Sequence, residues 1–352
     1  MDIKTKKHVA IGLIITLFII YFQVILGGTT RLTGSGLSIT RWDIVTGTLP
    51  PLSNEAWNNA FDLYKQTPQY HKLNKGMALD EFKYIFFWEW LHRVWGRFGF
   101  VFLVGLFAYF YRKLDRTAVL RFGTVFALYA AQGVLGWFMV ASGLVDMPWV
   151  SHYRLTAHLL LAIVLFAYIL WFAADLLLEP SQKVTHEPTR RWAYALVPLV
   201  LLQIAYGGFM SGLHAAMFFP SFPDYNGFWL PPNLFGETPF IKNFFESIAT
   251  IQFIHRTLAY ILAVLIIYFW TQQRRIVSNN PYLHKTSNFL LVLLCTQIAL
   301  GATVLLLSKQ GIPVFWGVLH QAVGLLLLST LLFICFQYKR TVAASLSTQN
   351  PS

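Results

Sequence analysis

The sequence predicts an all-α integral membrane protein: eight transmembrane helices arranged as two four-helix bundles, related by a pseudo-twofold axis along the membrane normal. Three observations predict it. The 352 residues are 56% hydrophobic and 17% aromatic but only 12% charged, whereas about a quarter of the residues of an ordinary soluble domain are charged. Apolar runs long enough to cross a bilayer recur along the whole chain. The chain also repeats itself, first as a helix pair and then as a half.

The apolar runs fall near residues 9–27, 84–110, 118–141, 154–178, 192–212, 247–270, 287–308 and 314–337, each close to the ~20 residues a spanning helix needs. Lys4, Lys6 and Lys7 precede the first. Arg112, Lys113 and Arg116 fill the second connection, Lys183, Arg190 and Arg191 the fourth, and Arg274, Arg275 and Lys285 the sixth. Lys339 and Arg340 follow the last span. Basic residues concentrate in cytoplasmic loops, so both termini are expected on the cytoplasmic side. The other connections, near 28–83, 143–153, 213–246 and 309–313, face the opposite compartment. The net charge of +12 is what this loop pattern requires, and it gives no reason to expect a nucleic-acid partner. Cys295 and Cys335 both lie inside apolar runs, so neither a disulfide nor a cysteine metal site is expected. The first run is too long for a signal peptide and has no small-residue cleavage motif, which favours a bacterial plasma membrane over a processed organelle precursor.

Each odd-numbered span ends with a glutamine followed four residues later by a glycine: Gln23 and Gly27, Gln132 and Gly136, Gln203 and Gly207, Gln297 and Gly301. Each even-numbered span opens with a histidine: His92, His158, His255 and His320. The spacing from His92 to His158 is 66 residues and from His255 to His320 is 65, and Leu91-His92-Arg93 matches Ile254-His255-Arg256. The halves, residues 1–180 and 181–352, are therefore read as two copies of one unit, in parallel because four spans restore the chain direction.

A single histidine in a span is usually a polar group bonded to a neighbouring helix. Four at matching depth, one pair per bundle, point to ligands. Two neutral imidazoles without a cysteine or a carboxylate cluster suit a six-coordinate heme iron, and the slot of a four-helix bundle can accept a porphyrin. The repeated glycines allow close backbone approach around such a slot or serve ordinary helix packing. Arg31, Arg93, Arg154 and Arg256, with Arg41 and Arg97, are candidates to pair with heme propionates or to anchor the helices at the interface. His8, His186 and His284 fall in cytoplasmic segments, and His71, His152 and His214 in or beside outer loops. All six are expected to be solvated or to lie behind the ligands.

The halves differ at one position. Trp88-Glu89-Trp90-Leu91-His92 puts Glu89 three residues before its histidine, on the same helix face, while the matching residue of the second half is Gln252. A carboxylate beside a heme can accept a proton or stabilise developing positive charge. The expectation is one reactive site in the first half and one electron-carrying site in the second.

These segments resemble the heme A synthase family over nearly the whole chain. The resemblance is carried by Gly27-Gly28-Thr29-Thr30-Arg31-Leu32-Thr33-Gly34-Ser35-Gly36-Leu37-Ser38 with Thr46-Gly47-Thr48-Leu49-Pro50-Pro51, by Trp88-Glu89-Trp90-Leu91-His92-Arg93, and by Gly143-Leu144-Val145-Asp146 with Ser151-His152-Tyr153-Arg154-Leu155-Thr156-Ala157-His158. The long first outer loop without a cysteine pair is similar to the proteobacterial and mitochondrial subfamily. The resemblance implies oxidation of the C8 methyl of heme O to a formyl group by two successive hydroxylations, giving heme A for cytochrome oxidase. It implies heme b as cofactor between His255 and His320, the substrate heme flanked by His92 and His158, and Glu89 as the catalytic carboxylate. Insertion of oxygen by a heme-bound oxidant and addition of water to a cation beside Glu89 both remain open. Heme O synthase is the implied supplier of substrate, with an electron-transfer partner of unknown identity and room for a homo-oligomer. His214 and the segment Phe219-Pro220-Ser221-Phe222-Pro223-Asp224-Tyr225-Asn226-Gly227 depart from the family pattern. The competing reading is a bis-histidine heme b electron carrier linked to quinol. All four histidines near one face argue against it, because such a carrier stacks hemes across the bilayer. A transporter built on the same repeat would need polar groups along a midplane path, and the spans offer few.

Overall fold

The computed structural model describes residues 1–42, 46–144, 147–178, 184–276 and 281–338. The 180/181 boundary between halves, Val145 and Asp146 of the resemblance, and Lys183, Lys339 and Arg340 of the charge pattern lie outside the described residues.

Eight helices are long and apolar enough to cross a membrane, and the described residues contain no strand, only two isolated bridges. The chain is a multi-pass membrane protein. Helix α1 (Ile3–Leu32) starts where the Asp2 side chain accepts from Thr5 N at 2.8 Å, filling one of the free donors of the first turn. It ends before Gly34, whose φ of +69° turns the chain away. The long first outer connection, for which the apolar pattern offers no element, holds α2 (Asn54–Tyr64) and α3 (Pro68–Lys72). Their aromatic residues form a small second core, with Phe61 and Tyr64 stacked on Phe82 at 4.9 and 5.2 Å. That support carries α4 (Leu79–Phe110) further out than its apolar run, which opens near residue 84. There follow α5 (Arg116–Gly143), capped by Asp115, and α6 (His152–Leu177). The second half supplies α7 (Glu187–Gly212), α8 (Ile248–Ile276), α9 (Pro281–Leu307) and α10 (Val314–Gln337).

Lipid gives spanning helices no hydrophobic reason to associate, so small residues and polar contacts decide which pairs approach. Here the close pairs fall into matched sets. α1 packs on α4 and α6, and α5 on α6; correspondingly α7 packs on α8 and α10, and α9 on α10. Between halves α6 meets α7 and α10 meets α1, with α6 against α10 at the centre. Adjacent glycines explain the approach. A Cβ on Gly28 would lie 2.7 Å from Oε1 of Gln321 on α10, and one on Gly208 would lie 2.6 Å from Oγ1 of Thr156 on α6. Gln321 Nε2 also donates to Val24 O at 2.8 Å. One pair breaks the match: α8 packs closely on α9, whereas α4 and α5 stand apart.

Candidate functional site

A cavity of about 1560 Å³ runs through the bundle, lined by His92, His158, His255 and His320 together. Ordinary ligand pockets measure about 300–1,000 Å³, so this space has room for two large groups. The repeated glycine is the seat of each histidine. A Cβ on Gly27 would meet His92 Cε1 at 3.1 Å, one on Gly136 would meet His158 Cε1 at 3.0 Å, and one on Gly301 would meet His320 Cε1 at 3.1 Å; at Gly207 the distance to His255 Cε1 is 3.4 Å. At Gly27, Gly136 and Gly301 a larger residue would press on the imidazole, while at Gly207 a methyl would only touch it. The glutamine one turn earlier completes each seat. Gln23 Nε2 lies 3.2 Å from His92 Nδ1 and donates to His92 O at 3.0 Å. Gln132 Nε2 donates to His158 O at 3.0 Å. Gln203 Nε2 lies 3.2 Å from His255 Nδ1, and Gln297 Nε2 lies 3.3 Å from His320 Nε2. The Oε1 atoms of all four glutamines are buried without a partner, as are Nδ1 of His158 and of His320. Unsatisfied buried polar atoms are rare in folded proteins. Six among the residues lining one largely apolar cavity mark a place built for a polar-centred ligand, and four histidines in that lining suit heme iron. Among the described residues no three His, Cys, Asp or Glu side chains cluster.

Glu89 also lines the cavity and is 2% exposed. Both its oxygens are engaged: Oε2 accepts from Ser38 Oγ at 2.7 Å and from Ile39 N at 2.8 Å, and Oε1 from Arg93 Nη2 at 2.6 Å. Arg93 continues to Ile39 O and Arg41 O, both at 3.0 Å. The pair thus ties the first outer loop to α4 directly above His92. In the second half Gln252 Nε2 donates to Phe219 O at 3.1 Å, and Arg256 Nη2 donates to Pro223 O at 2.7 Å and Asp224 O at 2.8 Å. The same two positions, three before and one after the histidine, hold an outer loop in both halves. Only the first half does so with a carboxylate.

A model of the cytochrome oxidase assembly protein family, COX15-CtaA, matches residues 10–332. The chain belongs to this family. It is 40% identical over 342 residues to a heme A synthase of Nitrosomonas eutropha, covering 95% of both chains. It is 42% identical over 343 residues to a heme A synthase of Nitrosospira multiformis, covering 95% of this chain and 94% of that one. Against a heme A synthase of Flavobacterium psychrophilum it is 38% identical over 344 residues, covering 96% of this chain and all of the other.

Within this member of the COX15-CtaA family, the arginines divide. Arg31, Arg93 and Arg256 line the cavity; Arg154 does not, and instead donates to Phe138 O at 2.9 Å and lies 3.8 Å over that ring. Arg31 reaches across the halves to Ser211 O at 2.6 Å and Gly212 O at 3.2 Å, satisfying carbonyls at the end of α7. Its Nε, and Nε and Nη1 of Arg256, are buried without partners, so these two arginines keep donors for an anion in the cavity. His214, expected in solvent or behind the ligands, lines the cavity with φ +54° and a ring nitrogen 3.1 Å from Arg31 Nη2. Burial, with the Arg31 charge beside it, pushes the His214 pKa down to about 4. His186 caps α7, His152 lies 2.9 Å from Phe245 O, and His8 and His71 are exposed. The glutamines are the site residues that residue-by-residue reading passes over, although their fixed spacing from the glycines was the available signal.

Proposed function

We propose that the protein is a heme A synthase that oxidises the C8 methyl of heme O to a formyl group by two successive hydroxylations. Heme O sits between His92 and His158 in the N-terminal half, and a resident heme b between His255 and His320 in the C-terminal half. The observation that carries this reading is the repeated histidine seat with Glu89 in one copy and Gln252 in the other. Two sites built alike but differing by one carboxylate divide naturally into a reacting site and a holding site.

Heme b supplies a one-electron redox centre when bound. The chain's own residues do the rest. The four glycines give the imidazoles room beside the neighbouring helix, and Gln23, Gln203 and Gln297 hold ring nitrogens of His92, His255 and His320 while Gln132 holds the backbone at His158. Arg256 and Arg31 offer their remaining guanidinium donors to propionates. Glu89, held by Ser38, Ile39 and Arg93, places negative charge where a methyl carbon losing electrons needs it, or takes the proton that carbon gives up. The orientation follows the loop charges: termini toward the cytoplasm, with the heme sites near the outer face of a bacterial plasma membrane.

The decisive experiment is co-expression with a heme O synthase in a host that makes no heme A, followed by extraction and chromatography of the hemes. Hydroxylated and formyl heme are expected. Bound heme b with unaltered heme O would instead make the protein an electron carrier. His255→Ala and His320→Ala should each deplete heme b.

A further inference from the structure

The match between the halves fails at one helix pair, and the sequence shows why. On the cytoplasmic side of the histidines α4 and α5 are propped apart by aromatic rings: Phe100 against Phe126 and Tyr129 at 6.1 and 5.6 Å, and Phe107 against Phe122 and Phe126 at 5.3 and 5.5 Å. Tyr129 OH donates across to Gly96 O at 2.9 Å. The positions corresponding to Phe100, Phe122, Phe126 and Tyr129 in the second half are Ala263, Ser287, Leu291 and Leu294, while Phe107 has an aromatic counterpart in Trp270, whose Nε1 donates to Asn288 Oδ1 of α9 at 2.9 Å. Without the wedge, α8 and α9 close on each other. Toward the outer side the difference continues: α5 carries Val134 and Trp137 where α9 has Ala299 and Ala302, small residues that let helices approach in lipid.

Phe98 and, beside Phe100, Val101 of α4 line the histidine cavity together with Gly133, Val134 and Trp137 of α5. Val101 and Val134 are nevertheless 67% and 64% exposed. The cavity therefore continues between these two helices to the lipid-facing surface on the His92–His158 side. We propose that the space between α4 and α5 bordered by Phe98, Val101, Val134 and Trp137 is a lateral port, through which a porphyrin carrying a long apolar side chain enters from the bilayer and its oxidised product returns to it. The walls are apolar, as an isoprenoid tail requires, and the polar groups wait at the inner end. The matching route in the C-terminal half is narrower, because α8 and α9 pack against each other. This rests on the placement of heme O between His92 and His158.

The test uses the full chain carrying heme b in lipid nanodiscs, with ferric heme O delivered from phosphatidylcholine vesicles and its arrival followed by stopped-flow absorbance. Val134→Trp and Val101→Trp should slow loading by about tenfold or more, equivalent to about 1.4 kcal/mol on the entry barrier, with heme b content and the final heme O spectrum unchanged. Trp137→Ala, which widens the port, should speed loading, and it decides the matter if either tryptophan variant fails to fold. Loading at the wild-type rate in the filled variants, or an unchanged rate in Trp137→Ala, overturns the port and leaves the gap as a seat for lipid acyl chains or a second copy of the chain. His92→Ala and His158→Ala should abolish the heme O spectrum itself. If they load heme O with the wild-type spectrum, the placement of the substrate fails, separately from its route.

Discussion

The glycine seats can be tested by comparing two of them within the C-terminal half. Gly301→Ala places a methyl 3.1 Å from His320 Cε1, 3.7 Å from Nδ1 and 3.9 Å from Nε2. Ordinary contact begins near 3.4 Å, so the imidazole must retreat by a few tenths of an ångström, and the close α9–α10 packing leaves it little freedom to do so. Overpacking of this kind costs about 1–3 kcal/mol, which at a factor of ten per 1.4 kcal/mol weakens heme retention by about 5- to 150-fold. Gly207→Ala places its methyl 3.4 Å from His255 Cε1 and 4.0 Å from Nδ1, which is ordinary contact. There the gain from replacing a mid-helix glycine, about 0.5–1 kcal/mol, should prevail. The assay is heme b dissociation into apomyoglobin from detergent-purified protein, with the thermal midpoint measured in parallel. Gly301→Ala should lose heme faster at little cost in helicity, while Gly207→Ala should hold heme and melt slightly higher. Equal heme loss in the two variants, or greater loss in Gly207→Ala, would refute the view that these glycines are sized to the imidazoles.

Glu89→Gln keeps the shape of the side chain and should retain heme b while slowing heme A formation by about 10²–10⁴-fold, as loss of a positioned proton acceptor does; heme O or its hydroxymethyl form should accumulate on chromatography. Glu89→Ala should also lower stability, because removing one partner of a buried pair costs about 3–5 kcal/mol, here by leaving Arg93 uncompensated at the outer loop; proteolysis of residues 33–42 reports it. Ser38→Ala should slow turnover less than Glu89→Gln with KM for heme O nearly unchanged, because Ile39 N and Arg93 still hold the carboxylate. His214 has its folded pKa lowered to about 4 from an ordinary 6.5. Below pH 6.5 the unfolded chain therefore takes up a proton that the folded chain refuses, and stability should fall as pH drops from about 6.5 toward 4. His214→Gln should flatten that slope in thermal scans across the interval, and an unchanged slope would assign it to other groups.

The parts legible in the sequence are those that depend on period and composition. Eight apolar runs became eight long helices, because burial in lipid demands length and a satisfied backbone wherever the chain crosses. The four histidines were legible because polar groups in such runs are few. The purpose of their companions was not. Gly27 and Gly136 read equally well as helix packing or as walls for a porphyrin, and only the folded helix pairs bring them against His92 and His158. The first outer loop was opaque because α2 and α3 are short and draw their core from Phe82 and Phe86 on another helix, a pairing that no local period announces. Arg31 and Arg154 were ambiguous in a similar way. A guanidinium near an interface suits an anion or a helix end equally, and Arg31 is committed largely to the α7 carbonyls while Arg154 turns to Phe138.

The seam between the halves has a further meaning. Gly28 on α1 receives α10 and Gly208 on α7 receives α6, so each half presents the same pair of faces, one glycine-notched and one inserted, and each face finds its complement on the other half. This is the reciprocal geometry of an isologous dimer, here within one chain. A single four-helix unit would already carry both faces and could associate with a second copy without a linker. Fusion into one polypeptide is what lets the copies part company: in a symmetric pair a carboxylate gained beside one histidine appears beside its twin as well, and the α4–α5 wedge would prop open both sites. Joined in one chain, the two sites can diverge, one keeping Glu89 and the aromatic rings between α4 and α5, the other Gln252 and a closer α8–α9 pair.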